Sequence, residues 1–150
     1  MAKIMNLGTD TDIVWLYNVS YPVGPNCMNH RDDVMLIQHA INCIMVRLQL
    51  QKPDGSPITS YLRRDGLWGP RTAEAILAYQ QNVKSRGRFI KPDGRVDPSP
   101  TSGWTRHGDA QYTIVYLNRD NRDITGKMMQ VEDFPKELQL ALHRNSPNLV

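Results

Sequence analysis

The sequence predicts a mainly α fold: a three-helix bundle with an extended N-terminal segment and an extra C-terminal helix. Three observations carry this. Val34, Ile37, Ile41, Ile44 and Leu48 recur at the spacing of one helical face. Asp65-Gly66, then Gly69-Pro70, form a turn that launches a second helix with Ile76, Tyr79, Gln80 and Val83 on one side. Asp133-Phe134-Pro135 opens a last helix with Leu138, Ala141 and Leu142 on one side.

Each element has a local reason. Ile13-Val14-Trp15-Leu16-Tyr17 is β-branched and aromatic, which favours a strand, and the Pro/Gly cluster from Tyr21 to Asn26 ends it. Asp32 or Asp33 can cap a first helix that runs to about Leu50. Its opposite face also carries Leu36, Val46 and Leu50, with Met35 at the margin. A helix apolar nearly all round is covered on both sides. The N-terminal segment, the C-terminal tail or a partner protein on the outer face of helix 32–50 is therefore expected over it.

Lys52 to Pro57 is a loop by composition. At the second helix, Gly69 takes the N-cap position and Pro70 the first helical position, where a missing N–H costs nothing. Thr72 and Glu74 suit the first turn, and Gly87 stops the helix near Lys84. A second punctuated turn, Pro92-Asp93-Gly94-Arg95-Val96-Asp97-Pro98, echoes the first. Ser99 to Asp109 reads as an inserted loop. Residues 111–118 have β propensity.

The run Asp65-Gly66-Leu67-Trp68-Gly69-Pro70-Arg71-Thr72, with Ala75, Ile76, Tyr79 and Gln80 behind it, resembles the signature of the peptidoglycan-binding-domain-like superfamily. Asp32-Asp33-Val34 with Ile37-Gln38 and Ile41-Asn42 is similar to that family's first helix. The resemblance covers about half the chain, from residue 30 to about 100, and its module would extend to about 120. The matching positions are mostly turn and core residues, so they speak for the fold more than for the ligand. The resemblance implies one domain: residues 1–30 as an extension, 31–120 as a three-helix module and 121–150 as a second extension. It also puts residues 111–118 in the slot of the module's third helix, so helix is the expectation there.

At 150 residues the chain suits one domain, and its 40% hydrophobic content is that of an ordinary globular protein. No run approaches the ~18 apolar residues of a membrane span. The charge of +3 is mild and its 18 basic residues are scattered, which gives no support to nucleic-acid binding. Met1 to Asp10 lacks the apolar core of a secretory signal, so the expected setting is cytoplasmic or reached by a non-classical export route.

Cys27, His30, His39 and Cys43 are the sharpest cluster of metal-ligating types. The spacing matches no strong zinc pattern, and two reduced packed thiols are the expectation beside a zinc site or a Cys27–Cys43 disulfide. His107 and Asp109 lack a nucleophile placed by a motif, and no Gly-rich phosphate loop occurs. The chain reads as non-enzymatic, without a cofactor. The resemblance implies a ligand of peptidoglycan or its stem peptides, and an associated wall-active protein to be targeted. Trp68, Tyr61 and Trp104 are the candidate aromatic platforms, with Tyr79 expected in the core. Arg64 and Arg71, with Arg63 nearby, are the candidate partners of stem-peptide carboxylates. The alternative is a protein-interaction adaptor, of the secretion-system or phage accessory kind, that reuses the fold.

Overall fold

The computed structural model describes residues 1–6, 15–100 and 112–146. Strands β1 (Lys3–Asn6) and β2 (Trp15–Asn18) pair antiparallel, with Lys3 opposite Asn18 and Asn6 opposite Trp15. Four helices follow: α1 (Arg31–Ile44), α2 (Pro70–Ser85), α3 (Thr113–Thr125) and α4 (Lys136–Asn145). A single 3-10 turn, Val131–Asp133, leads into α4. The architecture is thus mixed, a helical group with a small two-stranded sheet, where the sequence pointed to helices and one extended segment.

Helix α1 is the centre. All its residues except Arg31, Asn42 and Cys43 are buried, and α2, α3 and α4 pack around it. That arrangement explains why α1 is apolar on two faces. For Met35, Leu36 and Leu50 the cover comes from the chain itself. Val46 alone of that apolar set stays well exposed, beyond the end of α1.

Two expectations at α1 need correction. The helix ends at Ile44, before Leu50, and its path continues as turns. Leu50 N–H donates to Met45 O and Gln49 N–H to Val46 O, both at 3.1 Å, with Gln49 at φ 54°. Those crossed bonds around a left-handed residue make a Schellman ending, which turns Leu50 into the core. Asp32 and Asp33 do not cap the helix; His30 holds the N-cap position. Asp32 accepts from Ala2 N–H at 3.0 Å. Asp33 accepts from Ser20 N–H at 3.1 Å, Tyr21 N–H at 3.3 Å and the Met1 ammonium at 2.9 Å. Burial raises the Asp33 carboxyl above its ordinary value, against the pull of those donors.

The other helices follow local signals. Pro70 starts α2 after Gly69, and Gly87, at φ 81°, takes the chain out of it. Of the β-prone run 111–118, Gln111 lies outside the described residues, Tyr112 is the extended N-cap, and Thr113 to Asn118 are helical within α3, which ends at the left-handed Gly126. Its β-branched residues Ile114 and Val115 are buried, so packing outweighs propensity here. Helix α4 begins after Pro135 and buries Leu138, Ala141 and Leu142.

Long irregular segments join these elements, and carboxamide side chains hold them. Asn42 donates to Leu62 O at 2.9 Å and accepts from Leu62 N–H at 2.8 Å. Asn118 does the same to Tyr17, at 2.9 and 3.0 Å, and Asn18 to Ser99, at 3.0 and 3.1 Å. Each amide meets both backbone groups of one residue, as a neighbouring strand would.

Candidate functional site

The signature turn is built around Gln38 of α1. Gly66 N–H donates to Gln38 Oε1 at 2.9 Å, which fixes the orientation of the amide. Gln38 Nε2 shares its two hydrogens among Leu67 O and Thr72 Oγ1, both at 3.1 Å, and Asp65 Oδ1 at 3.2 Å. Asp65 also accepts from Leu67 N–H at 3.0 Å. That bond, followed by the Gln38 contact, holds the Asp65 carboxyl below the usual carboxylate range. Gly66 has φ 73°, and a Cβ there would meet Arg31 O at 2.5 Å. Both the left-handed backbone and the close approach require glycine.

Gln80 of α2 repeats the device at the second turn. Gly94 N–H donates to Gln80 Oε1 at 2.7 Å. Gln80 Nε2 donates to Arg95 O at 2.8 Å and Thr113 Oγ1 at 3.1 Å, with Asp93 Oδ1 at 3.4 Å. Asp93 accepts from Arg95 N–H at 2.9 Å, as Asp65 does from Leu67. Each buried glutamine thus grips an Asp-Gly turn and the threonine that opens the next helix.

The first clasp has a cavity beside it. A half-open hollow of about 220 Å³ is lined by Leu62, Arg63, Asp65, Leu67, Gly69, Pro70 and Arg71, with buried Gln38 and Thr72 on its inner side. Arg63 and Arg71 are exposed, and Arg71 joins no ion pair among the described residues. Gly69 supplies no capping side chain at the start of α2. The N–H groups of Arg71 and Thr72 lack a helical acceptor, and the helix dipole adds positive potential. The Asp65 carboxylate also lines the hollow, with its Oδ1 taken up by Gln38 and Leu67 N–H, so two guanidinium groups and a helix N-terminus outweigh one negative charge in favour of a carboxylate or another small anion.

Of the five residues singled out as ligand contacts, Arg71 alone lines this cavity. Tyr61 is exposed but is not among its lining residues. Trp68 is half-buried against the core, and its indole N–H has no partner among the described residues. Trp68 therefore contributes to packing at the edge of the core. Trp104, like His107 and Asp109, lies outside the described residues. Arg64 belongs to a different group: its guanidinium donates to His39 Nδ1 and Asp133 O, both at 3.0 Å.

That group bears on the metal question. His39 Nε2 is 3.5 Å from Cys43 Sγ, and Phe134 meets the ring edge-on at 4.6 Å. Because Arg64 donates to Nδ1, the ring hydrogen sits on Nε2, the atom facing the thiol. A metal there would have to displace it. Burial, then the Arg64 charge, pushes the His39 pKa down to about 4. Cys27 instead donates to Pro25 O at 3.3 Å, and His30 stacks on Tyr21 at 4.6 Å. Both cysteines are free thiols, and no three metal-ligating residues converge among the described residues.

A buried polar hub between α2 and α3 had no signal in the sequence beyond residue type. Asp120, 1% exposed, accepts from Tyr79 Oη at 2.6 Å and from Arg86 through two bonds of 2.6 and 3.0 Å. Arg88 stands 3.6 Å away and covers the Tyr116 ring at 5.5 Å. Burial and the Asp120 carboxylate together raise Tyr79 well above its ordinary value, so it remains a neutral donor. No protein-family model, curated protein or solved structure matches this chain.

Proposed function

We propose that the chain is a non-catalytic binding module for bacterial cell-wall peptidoglycan, which brings an associated wall-active protein to its substrate. The cavity at the signature turn is the observation that carries this reading. At about 220 Å³ it is smaller than the ~300–1,000 Å³ of a pocket that engulfs a whole ligand. It suits the carboxylate end of a stem peptide, with Arg63 and Arg71 as charge partners and Leu62 and Leu67 as apolar sides. The resemblance of residues 65–80 to peptidoglycan-binding domains supports the same ligand class. The adaptor reading draws less support, because Met35, Leu36 and Leu50 of the face that motivated it are buried within the chain itself.

The test is co-sedimentation with protein-free sacculi for the wild type, Arg63→Ala/Arg71→Ala and Trp68→Phe. Saturable, salt-sensitive pelleting is expected, lost in the arginine variant and retained in Trp68→Phe. Protein that stays in the supernatant under all conditions would sink the proposal. Pelleting unchanged by the arginine substitutions would remove this cavity from it.

A further inference from the structure

We infer a second binding site, for a neutral hydroxyl-rich glycan, in the groove between α2 and the hairpin that spans residues 50–58. The groove measures about 470 Å³, more than twice the arginine cavity. A second hollow of about 520 Å³ adjoins it, and Gln49 and Gln51 line both. These volumes are in the range of small-molecule sites.

The lining states the chemistry. Gln49, Gln51 and Gln81 project exposed carboxamides, and none is held by another side chain or backbone group among the described residues. Each offers donors and acceptors together, the complement of a sugar hydroxyl, which also does both. Leu48, Pro53 and Ala78 add small apolar surface for the C–H face of a sugar ring. Lys52 is the one charged residue in the lining, too little for a phosphate-bearing polymer. An added peptide strand also fits poorly, because Lys52 N–H and Ile58 N–H already donate within the hairpin, to Ser56 O and Leu50 O.

The walls are set before any ligand arrives. Asn82 Nδ2 donates to Leu48 O at 3.2 Å, which ties α2 to the hairpin's base. Asp54 accepts from Ser56 N–H at 2.9 Å and from its hydroxyl at 2.5 Å, which stiffens the tip. Gln49 adopts φ 54°, a left-handed position that glycine fills at lower cost, yet here a carboxamide is kept at the groove. Arg71 and Ala78 lie about two turns apart on one side of α2, roughly 10 Å along its axis. A wall fragment could therefore lay sugar along the groove with its peptide at the arginines. The glycan site stands on its own lining and does not need that second contact.

The experiment is a titration of the isotope-labelled full chain with the β-1,4-linked tetramer of N-acetylglucosamine, read on the glutamine side-chain amide resonances. Gln51 and Gln81 amides are expected to shift together and saturate. Gln51→Ala/Gln81→Ala, at exposed positions, should weaken binding by about ten-fold or more. Ser85→Tyr, which fills the groove from the helix surface, should weaken it too. Arg71→Ala should leave it unchanged, which separates failure of this site from failure of the carboxylate cavity. Absence of saturable shifts up to about 10 mM would overturn the inference. So would equal binding by the groove variants, or an equal response of the same amides to a neutral alanine tripeptide.

Discussion

Gln38 and Gln80 perform the same bonding at two turns whose surroundings differ. At the first, the turn glycine is pressed against Arg31 backbone, and Thr72 follows at once in the next helix. At the second, Gly94 has room, with only Pro25 Cδ at 4.0 Å from a built Cβ, and Thr113 arrives after an insertion. The charged hub of Asp120, between α2 and α3, takes in Tyr79, the residue before Gln80. At the first turn the tight contact falls on the turn glycine itself; at the second it falls on Gly24, where a Cβ would stand 2.9 Å from Gly94 O. The cavity suited to an anion accompanies the first turn.

The sharpest way to break this comparison is a pair of alanine substitutions. Gly66→Ala should abolish folding, because the new Cβ collides with a backbone oxygen that cannot move aside. Gly94→Ala meets only the left-handed backbone, at φ 75°, and should cost about 1 kcal/mol in chemical denaturation. Equal costs would show the two turns to be equivalent after all.

Asp120→Ala comes next, at about 4 kcal/mol, since it leaves Arg86 and the Tyr79 hydroxyl without their shared acceptor. The double change with Tyr79→Phe should cost less than the sum of the single ones, as coupled groups do. Additive costs would mean that the hub does not act as a unit.

Acid should separate the regions as well. His39, beside the first turn through Arg64, has a folded pKa of about 4 against 6.5 for the free side chain. The unfolded chain takes the proton first, so stability is lost as pH falls from about 6.5 towards 4, by about 3 kcal/mol. His39→Gln should flatten this part of the pH–stability curve. An unchanged slope would place the acid sensitivity elsewhere.

Gln38→Leu and Gln80→Leu should each cost about 2 kcal/mol, because a buried turn N–H and a threonine hydroxyl lose their partner. A clear difference between them would rank the clasps. Denaturation midpoints at constant slope are the measure.

The start of α2 was legible because its signals are local: Asp-Gly, Gly-Pro and the residues just after them need no distant partner, whereas Asp32 and Asp33 of α1 serve distant donors. Strand β1 was not, since four residues, Lys3–Asn6, carry too short a pattern and depend on pairing with β2. The two glutamines stood out by resemblance, but their shared bonding did not. Their turns lie at unequal distances along the chain, so no period links Gln38 with Gln80. Arg63 and Arg64 show the limit at a site. Neighbours in an extended segment face opposite ways, and which one enters the cavity is set by how Asn42 grips Leu62.

That grip has a consequence for the loops. Asn42, Asn118 and Asn18 each hold one residue by both its backbone groups, Leu62, Tyr17 and Ser99. Such a fastening works like a rivet, because it sets a point and leaves the span between points unspecified. Insertions at the hairpin tip near Gly55, well before Leu62, should be absorbed at a cost that grows only slowly with length. A deletion that shifts Leu62 off its asparagine should not. The chain can thus vary its loop lengths freely while keeping the same few residues at fixed places over its central helix.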